Sequence, residues 1–384
     1  MQLLFESLFN GVAIGSVLLM AALGLAIVFG LMGVINLAHG ELIMLGAYTT
    51  YVVQLIFKLP LFAPIYNAYV LVAIPCAFVV SGVVGILLER TVIRRLYGSP
   101  LETLLATWGV SLILQQFVRS VPLAYAAGMV LFLVLGFSLP LFLPKYLLEG
   151  RQSRFVRLGG WAVSAFIGVL FAGGLASQIS RIAKATSRNV DVTAPKWMRG
   201  GLEWMDLTFP VPRLVIIVMT LIAVVGVIWF LNRSVWGIRI RAVTQNRSMS
   251  DCLGIPTDTV DVLTFGIGSG LAGVAGVAVS LLGSVGPNVG TSYIVGCFMV
   301  VVLGGVGNLF GTVLASFAIG LLTDLIGAGR LLTIWPDMPG PLAGGVEFFA
   351  TTSMAQVMVF ALIVVFLQFR PSGLFPQKGR MVEA

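Results

Sequence analysis

The chain has 384 residues, of which 58% are hydrophobic and only 10% are charged, and its mean hydropathy is +1.03. A water-soluble globule cannot hide that much apolar surface, so the composition excludes one and points to an all-α, polytopic membrane protein. The formal charge of +8 gathers in clusters beside apolar runs, where it reports topology, and no nucleic-acid partner is expected.

The first apolar run includes "GVAIGSVLLMAALGLAIVFGLMG" from Gly11, beyond the roughly 20 residues that cross hydrocarbon as a helix. No basic segment precedes it, and Glu6 is the sole charge before Glu41, so it is expected to stay as a span and not to be a cleaved signal. The next stretch, "GVINLAHGELIMLGAY" at 33–48, sets Asn36, the chain's one histidine His39, and Glu41 between two apolar runs. Two readings are open for His39, a single hydrogen bond at a helix end or a place lining a passage. Glu41 is either a first-turn acid favoured by the helix dipole or part of the same passage.

The first span is placed near 8–32, and two more are expected near 41–57 and 68–89, before the basic loop "ERTVIRRLYGS" at 89–99. "SPLET" then marks a new helix, with Ser99 to cap it, Pro100 at its first position and Glu102 to complete a capping box. Spans near 103–119 and 122–144 lead to the basic stretch at 145–160, and spans near 160–179 and 211–231 lead to the third, at 232–247. Four more, near 262–283, 291–304, 311–327 and 354–369, precede the basic tail from 368. With every basic loop on the cytoplasmic side, the pattern predicts a helical bundle of about 11 transmembrane helices (9 to 11), N-terminus outside and C-terminus inside.

Long loops at 180–213 and roughly 328–352 then fall outside. The first carries Arg199, Glu203 and Trp204, which suit either an interfacial aromatic anchor or a docking surface for an external protein. "GIGSGLAGVAGVAVS" spaces Gly266, Gly270, Gly273 and Gly276 by three and four residues, the spacing for close helix packing in lipid. "GVGNL" at 305–309 echoes "GVINL" at 33–37 and aligns Asn308 with Asn36. A glycine-rich break bearing an amide is what a discontinuous helix facing a polar cavity needs. Asp324 stands inside a span candidate, where a carboxylate is costly and functional or paired, unless it reaches the outer end of that span.

No GxxxxGK[ST], GxSxG or HExxH occurs, and Cys76, Cys252 and Cys297 are too scattered for a metal site or disulfide framework. An enzyme is therefore not expected, and neither a metal nor a cofactor in this chain. The loop from Ser234 reads as a short helix over Arg239 to Cys252, stopped by Gly254 and Pro256, with Arg247 and Asp251 placed to pair. It suits either an amphipathic helix on anionic lipid or a knob inserted into a cytoplasmic motor.

"RAVTQNRSMSDCLGI" resembles the cytoplasmic coupling segment of the branched-chain amino acid and urea permeases of ABC importers, and "GVINLAHGELIMLGAY" is similar to their first-half signature. "LETLLATWGVSLILQQ" at 101–116, "NVDVTAP" at 189–195, "VDVLTFGIGSGLAGVAGVA" at 260–278 and "FMVVVLGGVGNLFGT" at 298–312 resemble the urea branch. The resemblance covers about 1–120 and 186–384 and makes 1–384 one permease domain, with 232–261 as the coupling segment. The stretch 121–185 departs from the family pattern and is expected to add two spans.

The resemblance implies a subunit of an importer in the inner (plasma) membrane of a bacterium. Its partners would be a second permease chain, two cytoplasmic ATPases holding ATP and magnesium, and an external substrate-binding protein. Arg239, Arg241, Gln245, Asn246 and Arg247 would meet the ATPase. Asn36, His39, Glu41, Thr107 and Asn308 would line the solute path, and the near absence of Arg and Lys from span centres favours a neutral solute such as urea over an amino acid. A self-sufficient channel or ion-coupled carrier, with Glu41 or Asp324 as its ion site, is the rival class.

Overall fold

A computed structural model describes residues 2–58, 63–120, 164, 168, 189–204, 207–330 and 350–375. Among these residues, seven helices are long and apolar enough to cross a membrane, and two shorter apolar helices, Val289–Gly304 and Met354–Phe369, accompany them. All nine coincide with expected spans. The two spans expected near 122–144 and 160–179 lie outside the described residues.

Helix α1 (Gln2–Ile27) runs on through a π-helical turn at Val28–Met32 and stops at Gly33, whose φ of 70° suits glycine. Then follow α2 (His39–Phe57), α3 (Tyr69–Thr91) and α4 (Pro100–Ser120), which starts at the proline that the sequence marked. A short hairpin, β1 (Gly201–Trp204) with β2 (Leu207–Pro210), leads into α5 (Val211–Arg233). Two short helices, α6 (Val235–Gln245) and α7 (Arg247–Cys252), precede α8 (Thr257–Leu282), α9 (Val289–Gly304), α10 (Leu309–Gly327) and α11 (Thr352–Phe369).

Helix α8 is the hub, packed against α1, α2, α3, α5 and α6, and the predicted glycine stripe is the reason. A Cβ on Gly270 would fall 2.7 Å from the Phe78 ring, one on Gly273 would meet Ser81 and the Ala77 carbonyl, and one on Gly276 would lie 2.5 Å from the Ala47 nitrogen. Missing side chains therefore let α2 and α3 press their backbones against α8, and dispersion across these seams replaces the hydrophobic drive that lipid does not supply. The Ser81 hydroxyl donates to the Leu42 carbonyl at 3.0 Å and ties α3 to α2 beside the same seam.

The basic segments 89–99 and 232–247 and the start of the tail, 368–375, fall within the described residues and share one end of the bundle. Arg94 pairs with Asp258 at the head of α8, and the Leu374 and Phe375 nitrogens donate to the Leu303 and Gly304 carbonyls at the foot of α9.

Gly276→Val is expected to lower the thermal midpoint of the detergent-solubilised protein by the equivalent of about 1–3 kcal/mol of overpacking. Gly109→Ala, where an added Cβ meets nothing within 4 Å, is expected to leave it unchanged; fluorescence-monitored melting checks both.

Candidate functional site

The break between α1 and α2 carries the opening motif. Its backbone leaves helical geometry at Gly33 and re-enters at His39, and Asn36 is fully buried within it. The Leu37 N–H, freed by the break, donates to the Thr107 hydroxyl at 3.1 Å, and that hydroxyl donates in turn to the Leu104 carbonyl at 3.0 Å. His39 Nε2 lies 3.0 Å from the Ala21 carbonyl of α1; a carbonyl only accepts, so Nε2 carries the proton.

Helix α4 is amphipathic in the sense a membrane requires. Leu101, Leu105, Trp108, Leu112 and Ile113 are exposed, whereas Thr103, Thr107, Ser111 and Gln115, four residues apart, are buried. Spacing of four holds them on one face, turned to the break. Ser111 Oγ and Gln115 Nε2 donate to Glu41 Oε1 at 3.0 and 2.7 Å. Sequence reasoning picked out Thr107 and missed Ser111 and Gln115; the signal was the polar stripe through "TLLATWGVSLILQ" at 103–115.

Glu41 also stands where α2 and α9 begin side by side. A Cβ on Gly290 would fall 2.5 Å from the Gly40 oxygen and 2.9 Å from Glu41 Oε2, so only glycine fits. Above this point Arg119 donates to Asn288 at 2.5 Å, joining the end of α4 to the turn before α9. Glu41 Oε2, both amide atoms of Asn36, His39 Nδ1 and the Tyr48 hydroxyl are buried and find no hydrogen-bond partner among the described residues. A buried polar atom without a partner costs about 1–3 kcal/mol, and here five share one short segment, 36–48. No group of three or more His, Cys, Asp or Glu suited to a metal occurs among the described residues.

Asn308 matches Asn36 in sequence and in following a glycine break, but not in its surroundings. Gly305, like Gly33, has a positive φ, 99°, but the Asn308 side chain caps α10 by accepting from Phe310 and Gly311 N–H and donates to the Phe375 carbonyl. It stands apart from the Asn36 cluster, at the basic end, in a cleft of about 610 Å³ with Arg241 and Gln245.

The coupling segment departs from the single helix expected over 239–252. Asn246 takes an extended conformation (φ −153°, ψ 102°) and its side chain accepts from the Met249 N–H at 2.9 Å, so it ends α6 and caps α7. Nor do Arg247 and Asp251 pair: Arg247 turns to Asp261 at 2.6 Å, and Asp251 accepts from the Thr257 hydroxyl at 3.4 Å. Asp261 is nearly buried and offers the guanidinium a less hydrated partner than a surface carboxylate would. Arg241 and Gln245 remain exposed, and Arg239 lies over the Trp236 ring at 4.8 Å.

The family model for the branched-chain amino acid transport system permease component matches residues 7–121 and 103–367. This chain belongs to that family. The permease is 26% identical over 370 residues to the high-affinity branched-chain amino acid transport system permease protein LivH of Escherichia coli K12, covering 96% of this chain and 94% of LivH. It is 25% identical over the same shares to the corresponding protein BraD of Pseudomonas aeruginosa. The autoinducer 2 import system permease protein LsrC of Salmonella paratyphi B is 24% identical over 290 residues, 71% of this chain and 81% of LsrC. No solved structure matches. The chain is thus an ABC-type transport permease, a polytopic protein of a family that sits in the inner membrane of bacteria and works with ATPase subunits and substrate-binding proteins.

At the end of the permease opposite the basic loops, Asp324 is paired, accepting from Ser7 at 2.8 Å and facing Arg330 at 3.3 Å, with Glu6 also 3.3 Å from Arg330. It ties α1 to α10 at the end of its span, the milder of its two sequence readings. The segment 189–199 is laid across α2 and α3 through Thr193, which meets Gln54, Tyr66 and Tyr69. Arg199 is exposed and donates to the Ala194 carbonyl, and Glu203 is exposed on β1, the strand that Trp204 ends.

Ser111→Ala combined with Gln115→Leu removes both donors from Glu41 and is expected to destabilise the fold by about 2–3 kcal/mol. Ser111→Ala with Glu41→Gln leaves less buried charge to satisfy and is expected to cost less; denaturation of the purified permease reads the order of the two.

Proposed function

We propose that the permease passes a small, neutral, hydrogen-bonding solute inward past the segment 36–48, and that the solute is urea. The observation that carries this reading is the set of unpartnered buried atoms on Asn36, His39, Glu41 and Tyr48, beside the hydrogen bonds that Leu37 and Glu41 make to the polar face of α4. Native interiors pair nearly all such atoms, so a cluster of orphans in a transport protein is best understood as awaiting a transient guest. Urea offers four N–H donors and one acceptor, which complement a carboxylate oxygen, an imidazole nitrogen and an amide. Among the described residues this segment holds amides, hydroxyls and a carboxylate, and the nearest cation, Arg119, is exposed and already donates to Asn288. Branched-chain amino acids are the second reading, favoured by the names of LivH and BraD. An ammonium group would suit Glu41, and a helix N-terminus can receive a carboxylate without a cation.

In this reading the N-terminus is external and the basic end cytoplasmic. The permease pairs with a second permease chain above two ATPases, which bind ATP and magnesium, while an external protein delivers solute. The exposed Arg241 and Gln245 meet the ATPase, and Arg199, Glu203 and Trp204 lie on the side where the binding protein docks. Asn308 serves the inner cleft.

Proteoliposomes holding the permease with its co-purified partners are expected to take up radiolabelled urea only with both ATP and the external binding protein. Leucine uptake under those conditions would keep the importer and change the solute, and uptake by the permease alone without ATP would replace the importer with a channel or carrier. In the same vesicles, Arg241→Ala with Gln245→Ala is expected to lower solute-dependent ATP hydrolysis about ten-fold, some 1.4 kcal/mol of lost coupling, with assembly intact by size-exclusion chromatography.

A further inference from the structure

The basic-segment residues fall into two sets: Arg241 and Gln245 are exposed, whereas Arg247, although 45% exposed, is paired to the bundle. Its guanidinium lies 2.6 Å from Asp261, 4.0 Å from Asp258 and 4.9 Å above the Tyr97 ring. Asp258 also meets Arg94 at 3.3 Å, and Arg94 reaches Glu89, fully buried at the end of α3, at 3.4 Å. Two arginines thus alternate with three carboxylates and bind α7 to α8, α3 and the turn that follows α3. The Tyr97 hydroxyl resists ionisation there, first through burial and then through the nearby Asp261 and Glu89 carboxylates.

Between α7 and α8 the chain has only residues 253–256, among them Gly254 at a φ of 79° and Pro256. The Gly254 and Ile255 N–H groups close this joint by donating to the Asp251 and Ser250 carbonyls, and the Arg247–Asp261 pair braces it one turn further along α8. Beyond Asp261, α8 carries any tilt along its length to Gly273 and Gly276, which touch Gly46, Ile43 and Ala47 of α2. Those residues follow Glu41 by two to six residues, within two turns of α2. A continuous, close-packed route joins the exposed face of α6 and α7 to the polar segment.

We infer that Arg247 and Asp261 are positioning residues for transport, forming the link through which motion of α6 and α7 is imposed on α8 and so on the solute path. The inference rests on the importer reading above. It also separates the two sets by role, with Arg241 and Gln245 receiving the ATPase and Arg247 passing the displacement on. The pair suits this work because an ion pair shielded on one side holds its geometry, whereas a fully exposed pair exchanges with water.

The test compares Arg247→Met/Asp261→Leu, which removes both charges and leaves neither buried alone, with Arg247→Lys, which keeps the charge. Complexes with their ATPases and binding protein are reconstituted, and solute uptake, ATP hydrolysis and melting temperature are read together. The double variant is expected to assemble and melt like the parent, hydrolyse ATP, and take up at least about five-fold less solute per ATP. Arg247→Lys is expected to recover most of that ratio. An unchanged ratio in the double variant overturns the inference, and so does a loss of uptake that merely follows a fall in melting temperature. Absence of ATP-dependent uptake by the parent complex would overturn the importer reading itself, and this link with it.

Discussion

Backbone groups released from a helix inside hydrocarbon must find partners within the protein, and the six residues between Met32 and His39 bring that requirement into the bundle. The freed Leu37 N–H is met by Thr107, and Glu41, in the first turn of α2, is met by Ser111 and Gln115. Helix α4 must accordingly turn a polar face inward and leave its leucines and Trp108 to lipid. Without the break, that stripe would have nothing to satisfy and an apolar face would pack better.

The second constraint is distance. A break can be served by α4 only if α2 is held close and level with it, and α8 supplies this by giving up side chains where α2 and α3 lie against it. Gly40 and Gly290 do the same where α2 and α9 start together. Close backbone approach makes α8 rigidly continuous with the polar segment at one place and, through Asp261, with α7 at another. The polar segment and the short helices α6 and α7 are thus joined through one packed element.

Much of this was legible along the chain. The apolar runs mark nine of the helices to within a few residues, the glycine spacing of α8 names its close contacts, and Asn36, His39, Glu41 and Thr107 were selected before any contact was known. The same reasoning drew one helix through Asn246, where a side chain in competition with the backbone makes two, and it paired Arg247 with Asp251. It equated Asn308 with Asn36, although one caps a helix and the other is buried without a partner. A five-residue echo reports a similar local break, which both positions have, and says nothing of what surrounds it.

The sequence by itself determined what depends on composition and short spacing: a membrane bundle, its span positions, its basic loops and its family. Only the tertiary structure decided partnership. Ser111 and Gln115 lie 70 and 74 residues from Glu41, and Arg247 chose a buried carboxylate fourteen residues on over an exposed one four residues away. The physical reason is that hydration decides the value of a polar contact, and hydration is set by which helices happen to cover it. No local pattern records that.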